Sequence, residues 1–480
     1  MRFLGFIVCF WVVVLLPFRG VGQAALTFQE LMDPAIFPEA QRGMAVISTR
    51  EANDGDVEVV TTGAIFLIHS QTGDIIGRQR IGQEREVAVL HIGHSLEGLR
   101  ITHSSPGFVR VISDNPRLVI RINGDSLMML HTLAALDVTV ERKITPGWHA
   151  SFENNHLLAD ELGAFGLYCS DVTVKDEFSP YNEMVASYPL PTDAVLWLGL
   201  CPPKTYPWER SFQEKIVWHW SKESGYPADD ELQSWKKYGN IVLLQSEVML
   251  WKDWNLDFQP RHGGKEFARV RNTLHKQGMR FIVYTSPYYF LRGTPIESAA
   301  FNSFDNFKGW PPGWATGENM GLFMAAITKV MNELKPDGLY FDGQYVSNPA
   351  ALYELSRRTR KLIGEEGILE WHSTSALGSS QCYLPQADAY VDFILRGEGR
   401  QNLYGDFDYL RYFVSGYNIN NSIGVLCNNG PEGLNSDLLQ NVLRANGRFH
   451  VLDRWLSNPN LVKLLEKEYF PKLNYTLKHK

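Results

Sequence analysis

The sequence predicts a mixed α/β fold in which an N-terminal antiparallel β-sandwich precedes a (β/α)8 barrel. Between residues 56 and 142, short runs with β-branched residues at alternating positions are separated by turn residues, which is typical of a sandwich. After Pro207 the pattern becomes strand, loop and helix, repeated over a length near the ~250 residues of a parallel barrel. The change in pattern predicts two domains in one chain.

The first 25 residues have the layout of a secretory signal peptide. Arg2 precedes an unbroken apolar run over residues 3–18, and small residues follow as far as Ala24 and Ala25. A membrane anchor is the alternative, but the run is shorter than the ~20 residues that a spanning helix needs. We therefore expect cleavage near Ala24 or Ala25 and a secreted or periplasmic mature protein without a membrane span.

The rest of the chain divides near residue 190. Residues 26–190 are predicted to form the sandwich, with 183–191 as a linker, and residues 191–480 the barrel. An open doubly wound sheet is the alternative to a barrel, yet no predicted strand is followed by a GxGxxG turn. The predicted barrel strands are 216–221, 241–245, 281–285, 338–342, 368–372, 390–395, 423–427 and 449–452. The predicted helices are 229–238, 265–277, 320–334, 349–363, 406–414, 436–445 and 459–468.

The composition excludes some classes of function. A formal net charge of -7, with 44% hydrophobic and 21% charged residues, gives no electrostatic reason to expect a nucleic-acid partner. Four cysteines follow the signal peptide, Cys169, Cys201, Cys382 and Cys427, and none forms a CxxC pair. Neither a zinc motif nor a redox motif is indicated. The sequence is compatible with disulfides between these cysteines and equally with buried free thiols.

In a parallel barrel, chemistry lies where the strands end at the C-terminal face. Carboxylates, aromatic residues and amides dominate those positions in this chain. The residues predicted to contact a substrate there are His219, Trp220, Glu247, Asp253, Trp254, Tyr284, His372 and Arg396.

Asp342 is the strongest catalytic candidate. It ends the apolar segment 338–341 and precedes Gly343, so the strand presents its carboxylate at the barrel mouth. A turn aspartate that caps the next helix is the alternative. Because the preceding segment has the character of a buried strand, we favour the catalytic role; Asp337, before the strand, is assigned to the opposite face.

Residues 337–343, DGLYFDG, resemble the strand-four motif of retaining barrel glycoside hydrolases related to the α-galactosidase (melibiase) group. The resemblance implies that Asp342 is the nucleophile and that an acid/base carboxylate follows strand six, where this chain has Glu398. In sequence it covers only short motifs. The chain departs from the group by lacking the lysine that usually precedes the motif, and by having Glu rather than Asp after strand six.

Two carboxylates on opposite sides of a glycosidic bond can protonate the leaving oxygen and meet the oxocarbenium-like centre. Glu247 is the alternative for either role. We expect a glycoside hydrolase acting on an oligo- or polysaccharide, and a catalytically silent carbohydrate-binding barrel is the alternative function. A barrel deacetylase or lyase is less favoured, because the sequence has neither its metal-ligand cluster nor a basic constellation.

Two further expectations concern the pocket. No cofactor or metal is expected, since His219 and His372 are not in HExxH spacing. Tryptophans cluster after strands one to three, and at least two of them are expected to wall the pocket and stack on sugar rings. These tryptophans are Trp218, Trp220, Trp251, Trp254, Trp310 and Trp314.

Overall fold

The structure is a computed structural model that describes most of the chain after residue 36. The described residues are 37–152, 155–169, 184–220, 225–245, 260, 262–285, 287, 317–344, 349–373, 383–428 and 434–473. The predicted signal peptide lies outside this part of the chain. No helix among the described residues has the length and apolar character needed to cross a membrane.

The N-terminal part is built of antiparallel strands. In chain order these are β1 (Val46–Glu51), β2 (Val57–Thr61), β3 (Ala64–Ile68), β4 (Asp74–Gln79), β5 (Arg85–His91), β6 (Arg100–Ser104), β7 (Phe108–Ser113), β8 (Leu118–Asn123), β9 (Leu127–Thr132), β10 (Leu136–Arg142), β11 (Trp148–Phe152), β12 (Asn155–Ala159), β13 (Ala164–Cys169), β14 (Met184–Leu190) and β15 (Val195–Cys201). One sheet has the order β1-β2-β3-β4-β5-β10-β14, and the other has the order β11-β12-β13-β15-β9-β8-β7-β6.

The two sheets share one hydrophobic core. Burial alternates along β2 and β3, as expected of strands with one face inward. Val59 and Phe66 of the first sheet lie in the same apolar cluster as Ile120 and Leu196 of the second. Removal of these faces from water is the main stabilising term for such a pair of sheets.

The segment predicted to be a linker, 183–191, forms a strand instead. β14 pairs with β10, and Val138 lies opposite Tyr188, whose side chain is fully buried. β15 then adds to the second sheet by pairing with β9 and β13. Pairing with distant strands therefore overrides the local turn signal of the prolines, and the antiparallel sheets extend to Cys201 rather than to residue 190.

A parallel sheet follows. Its strands are β16 (Ile216–Trp220), β17 (Ile241–Gln245), β18 (Arg280–Thr285), β19 (Gly338–Gln344), β20 (Ile368–Ser373), β21 (Phe393–Arg396), β22 (Ile423–Leu426), β23 (Arg448–Phe449) and β24 (Val451–Leu452). The α-helices described in this part are α1 (Trp208–Gln213), α2 (Asp229–Ser234), α3 (Gly264–Lys276), α4 (Gly317–Glu333), α5 (Pro349–Ile363), α6 (Pro385–Asp388), α7 (Ser436–Arg444) and α8 (Pro459–Leu464).

The parallel sheet curls into a nearly closed barrel. Strands β16 to β22 pair in chain order, and β23 adds to β22. After His450, β24 pairs with β16 at the other end of the sheet. The two short segments on either side of His450 thus bring the last part of the sheet back to the first.

Alternation along the barrel strands decides which side chains face its interior. Phe281 packs on Phe267 of α3, and Phe341 packs on Phe323 of α4, so these positions face the helices. Neighbouring positions on a strand point to opposite faces. The residue after Phe341, Asp342, therefore faces the interior near the C-terminal end of its strand.

The later helices differ from the prediction in their details. The predicted helix 406–414 is a π-helical segment, Tyr409–Ser415, which ends at Gly416 with φ 61°. The predicted helix 459–468 is divided between α8 and a second π-helical segment, Leu465–Tyr469. The hydrophobic spacing located both elements, but it did not determine their hydrogen-bond pattern.

Candidate active site

The mouth of the barrel brings together polar side chains from consecutive strand ends. They are Tyr284 of β18, Asp342 of β19, His372 of β20, Glu398 after β21 and Cys427 after β22. Parallel strands end at one edge of the sheet, so residues far apart in sequence become neighbours there. Four of the five, Tyr284, Asp342, His372 and Cys427, are directly linked by hydrogen bonds.

Two neighbours orient the Asp342 carboxylate. The Tyr284 hydroxyl donates to Oδ2 at 2.6 Å, and His372 Nδ1 donates to Oδ1 at 3.1 Å. Tyr284 is fully buried and stacks on Tyr340, with 5.4 Å between ring centroids, so the phenol is held in place. The Asp342 side chain keeps 18% exposure, which leaves it accessible from the mouth.

His372 lies between two carboxylates. Its Nε2 is 3.5 Å from Oε2 of Glu398, on the side of the ring opposite the Asp342 contact. Burial alone would lower the pKa of His372, but hydrogen bonds to Asp342 and Cys427 outweigh burial and raise that pKa well above its ordinary value. The protonated ring is thus favoured beside these acids.

Glu398 is the more exposed acid, with 47% of its side chain accessible. The residue before it, Gly397, has φ 99°, and a Cβ there would lie 2.6 Å from Leu426 Cδ1. Glycine therefore permits the turn that carries Glu398 over the end of β22. The Tyr404 hydroxyl lies 3.0 Å from the Gly397 carbonyl oxygen and 2.7 Å from that of Cys427, which ties the two loops together.

Cys427 is a functional candidate that the sequence analysis missed. Its thiol is buried, belongs to no disulfide and is hydrogen-bonded to His372. Burial raises the pKa of Cys427, while the hydrogen bond to His372 acts in the opposite direction. A signal was available in the sequence, because Cys427 ends the predicted strand 423–427, the same kind of position that selected Asp342.

His219 does not face the barrel interior. Its Nδ1 contacts Asp453 Oδ2 at 2.5 Å, and its ring lies 5.5 Å from that of Trp235 in the helical layer. Its position near the end of a strand had predicted a place in the pocket. Because successive side chains of a strand point to opposite faces, Trp218 faces the barrel interior and His219 faces the outer layer.

Arg396 is likewise turned away from the mouth. Its guanidinium pairs with Asp388 and donates to the Phe413 carbonyl oxygen at 2.7 Å. It also lies 4.2 Å from the centroid of the Tyr383 ring, and the residue is 1% exposed. These contacts give Arg396 a packing role between the sheet and its outer layer, rather than the predicted contact with a substrate.

A second polar layer lies deeper in the barrel. Glu370, two residues before His372 on the same face of β20, contacts Nε2 of His450. Trp218 packs edge-on against His450, with 6.4 Å between ring centroids. Glu370 is 0% exposed, so this layer is closed off from a ligand at the mouth.

Several predicted site residues lie outside the described part of the chain. They are Glu247, Asp253 and Trp254, and the tryptophans Trp251, Trp310 and Trp314. β16 ends at Trp220, whose side chain is likewise not among those that the structure describes. Trp218 is 8% exposed and lies in the deeper layer, so the expectation that two tryptophans wall the pocket remains a prediction.

Fold and site together define a barrel protein with two acids at the C-terminal mouth. No protein-family model matches the chain, and no curated protein sequence matches it. Among solved structures, it is similar to an α-galactosidase from Thermus thermophilus, at 12% identity over 82% of this chain and 93% of that one, with a TM-score of 0.40.

Other similar structures include further glycoside hydrolases. An α-galactosidase from Lactobacillus brevis is 9% identical over 90% of this chain and 69% of its own, with a TM-score of 0.42. A maltogenic α-amylase from Thermotoga neapolitana is 13% identical over 44% of this chain and 58% of its own, with a TM-score of 0.31. Values this low do not assign an activity to the chain.

Proposed function

We propose that this protein is a secreted glycoside hydrolase that uses Asp342 and Glu398 as its catalytic carboxylates. The observation that carries the proposal is the pair of carboxylates at the barrel mouth, held on either side of the His372 ring. Glycosidic hydrolysis needs two such groups, one to protonate the leaving oxygen and one to act at the anomeric carbon. The motif around Asp342 supports the same function.

Exposure suggests how the roles are divided. Glu398 is half exposed and can reach a leaving-group oxygen at the mouth, so we assign it as the general acid. Asp342 lies deeper, and Tyr284 and His372 fix both of its oxygens. A carboxylate with a fixed orientation suits the group that acts on the opposite side of the sugar.

The position of His372 bears on stereochemistry. Contacts of 3.1 Å at Nδ1 and 3.5 Å at Nε2 place the imidazole ring between the Asp342 and Glu398 oxygens that it contacts, so the ring itself separates the two acids. Retaining enzymes need ~5 to 5.5 Å, whereas inverting enzymes leave ~6.5 to 9.5 Å for a water molecule. We therefore propose inversion, with Asp342 as the base that activates water, in place of the nucleophile role that the resemblance implies.

A panel of aryl α- and β-glycosides, including α-galactosides, tests the proposal. We expect Asp342→Asn and Glu398→Gln each to lower turnover by about 10²- to 10⁴-fold, the usual value of acid/base assistance. The exposed Glu333 of α4 provides a matched control, and Glu333→Gln should retain full activity. An activated leaving group should restore much of the turnover of Glu398→Gln and none of that of Asp342→Asn.

Product stereochemistry followed by NMR tests inversion separately. An inverted anomer at the earliest time points supports the water-mediated assignment. A retained anomer would return Asp342 to the role of nucleophile and require His372 to leave the space between the acids. Loss of less than roughly tenfold turnover at either acid would contradict the assignment of the pair. Binding of sugars by the wild-type protein without turnover would favour the carbohydrate-binding alternative.

A further inference from the structure

The mouth of the barrel also groups three side chains of the kinds that bind zinc. Single ligand atoms of His372, Glu398 and Cys427 all lie within 4.8 Å of one another. Imidazole nitrogen, carboxylate oxygen and thiolate sulfur are the donors found in protein zinc sites. Three protein ligands with an open fourth position are the usual composition of a catalytic zinc site.

The surroundings of His372 favour a metal on the side of Nε2. Its Nδ1 is hydrogen-bonded to Asp342, and the Tyr284 hydroxyl in turn donates to that carboxylate. A carboxylate on the far nitrogen is the usual partner of a metal-bound histidine, because it fixes the ring orientation and tautomer. Nε2 lies 3.5 Å from Glu398 Oε2, and the Cys427 thiol is hydrogen-bonded to the same ring.

The backbone that carries the other two ligands, Glu398 and Cys427, is held in place by hydrogen bonds, whereas the Glu398 side chain is able to move. Tyr404 bridges the carbonyl oxygens of Gly397 and Cys427, and Cys427 N donates to the Arg396 carbonyl oxygen at 2.6 Å. Zinc bonds of ~2.0 to 2.3 Å bring ligand atoms closer together than the 4.8 Å within which these three lie. Glu398, with 47% of its side chain exposed, can make that adjustment.

From this geometry we propose that Cys427 Sγ, His372 Nε2 and the Glu398 carboxylate form a binding site for a divalent cation of the zinc type. The cation replaces the protons that the thiol and the imidazole hold in the metal-free chain, and these protons pass to solvent. Thiolate favours zinc over magnesium or calcium, which prefer oxygen ligands. The proposal does not rest on the proposed hydrolysis, but it shares Glu398 and His372 with that site, so a bound cation would prevent Glu398 from donating a proton.

Metal binding can be measured on the full chain without any sugar. Protein freed of metal with EDTA under reducing conditions is titrated with Zn²⁺ by calorimetry, and with Co²⁺ by absorption spectroscopy. We expect one Zn²⁺ per chain at micromolar affinity or tighter, and a thiolate-to-cobalt charge-transfer band. Because the titration needs no substrate, a failed activity screen leaves this result unaffected.

Variants test the ligand set. Cys427→Ser should abolish the charge-transfer band and weaken Zn²⁺ binding by at least about 100-fold, beyond the 10–100-fold effect of losing an outer-shell partner. Cys201→Ser is the matched control, because Cys201 also carries a buried thiol outside any disulfide, but its sulfur contacts Gln386. The control should bind as the wild type does.

Two results would overturn the proposal. One is a wild-type chain that takes up no stoichiometric Zn²⁺, and the other is Cys427→Ser binding with unchanged affinity. If Cys427→Ser fails to fold, Glu398→Gln is used to test the ligand set instead, because the half-exposed Glu398 side chain can be replaced by glutamine without disturbing the fold. That variant should lose at least about tenfold in affinity while keeping the thiolate band.

Discussion

Asp392 offers a stringent test of how the structure is held together. Its carboxylate is fully buried just before β21 and accepts from Arg360 at 2.6 Å, from Arg210 at 2.5 Å and from the Leu369 amide at 2.8 Å. Arg42, which precedes the first strand of the antiparallel sheets, also pairs with it. One acid thus joins three cations from separate parts of the chain.

We expect Asp392→Asn to lower the free energy of unfolding by about 3 to 5 kcal/mol, the cost of removing one partner from a buried ion pair. We expect a loss near the upper end of this range, because asparagine keeps the volume of aspartate but leaves three guanidinium groups facing one another without a negative charge. The Arg360 side chain is 0% exposed and has no access to water for compensation. A change of this size is a large part of the stability of a typical domain.

The effect should depend on pH. Burial alone would raise the pKa of Asp392, but Arg360, Arg42 and Arg210 outweigh burial and hold it well below the ordinary range. A carboxyl group whose pKa is lower in the folded than in the unfolded chain stabilises the fold. That stabilisation is complete at pH values above the unfolded pKa of ~3.9 and is lost as the pH falls through the folded pKa. The difference between wild type and variant should therefore shrink by roughly 1 kcal/mol between pH 6 and pH 3.

Urea unfolding followed by circular dichroism measures both quantities. Asp137→Asn is the matched control, since Asp137 is an exposed aspartate of β10 and its replacement should cost no more than about 0.5 kcal/mol. A loss below about 1 kcal/mol for Asp392→Asn would refute the central position given to this carboxylate. A difference that stays constant into acid would refute the depressed pKa.

Three further substitutions test the site itself. Tyr284→Phe removes one hydrogen bond to the Asp342 carboxylate, worth about 1.5 to 3 kcal/mol, so kcat should fall about 10- to 100-fold with KM unchanged in steady-state assays. Arg396→Met should lower the free energy of unfolding by about 3 to 5 kcal/mol; a large rise in KM with unchanged stability would contradict its packing role. Gly397→Ala should lower stability by about 1 to 3 kcal/mol in thermal unfolding, because its φ is positive and the added Cβ meets Leu426.

The periodicity of the sequence predicted the barrel strands closely. The expected strand 241–245 is observed as Ile241–Gln245, and 423–427 as Ile423–Leu426. Apart from Gln245, these segments are apolar because both of their faces are covered, which makes them easy to recognise. By contrast, β14 was mistaken for a linker, because its partner β10 is more than forty residues away in sequence and local turn residues gave the stronger signal.

The sequence located the strand ends but not the direction of each side chain. His219 and Arg396 both come at or near the end of a strand, and both face the outer layer in the structure. A uniformly apolar strand carries no alternation that could determine its inward face. The inward face of β18 and β19 becomes clear only from contacts such as Phe341 on Phe323, which depend on the packed helices.

Differences in access favour Asp342 and Glu398 over Glu370 as the acids of the proposed reaction. Glu370 lies on the same face of β20 as His372, but it is fully buried and contacts His450. His450 stands between β23 and β24, where the last strand is interrupted and the barrel returns to β16. The Glu370 contact therefore secures the place where the sheet closes, whereas Asp342 and Glu398 keep 18% and 47% exposure. Of these three described acids, Asp342 and Glu398 are the two that a substrate entering from the mouth would reach.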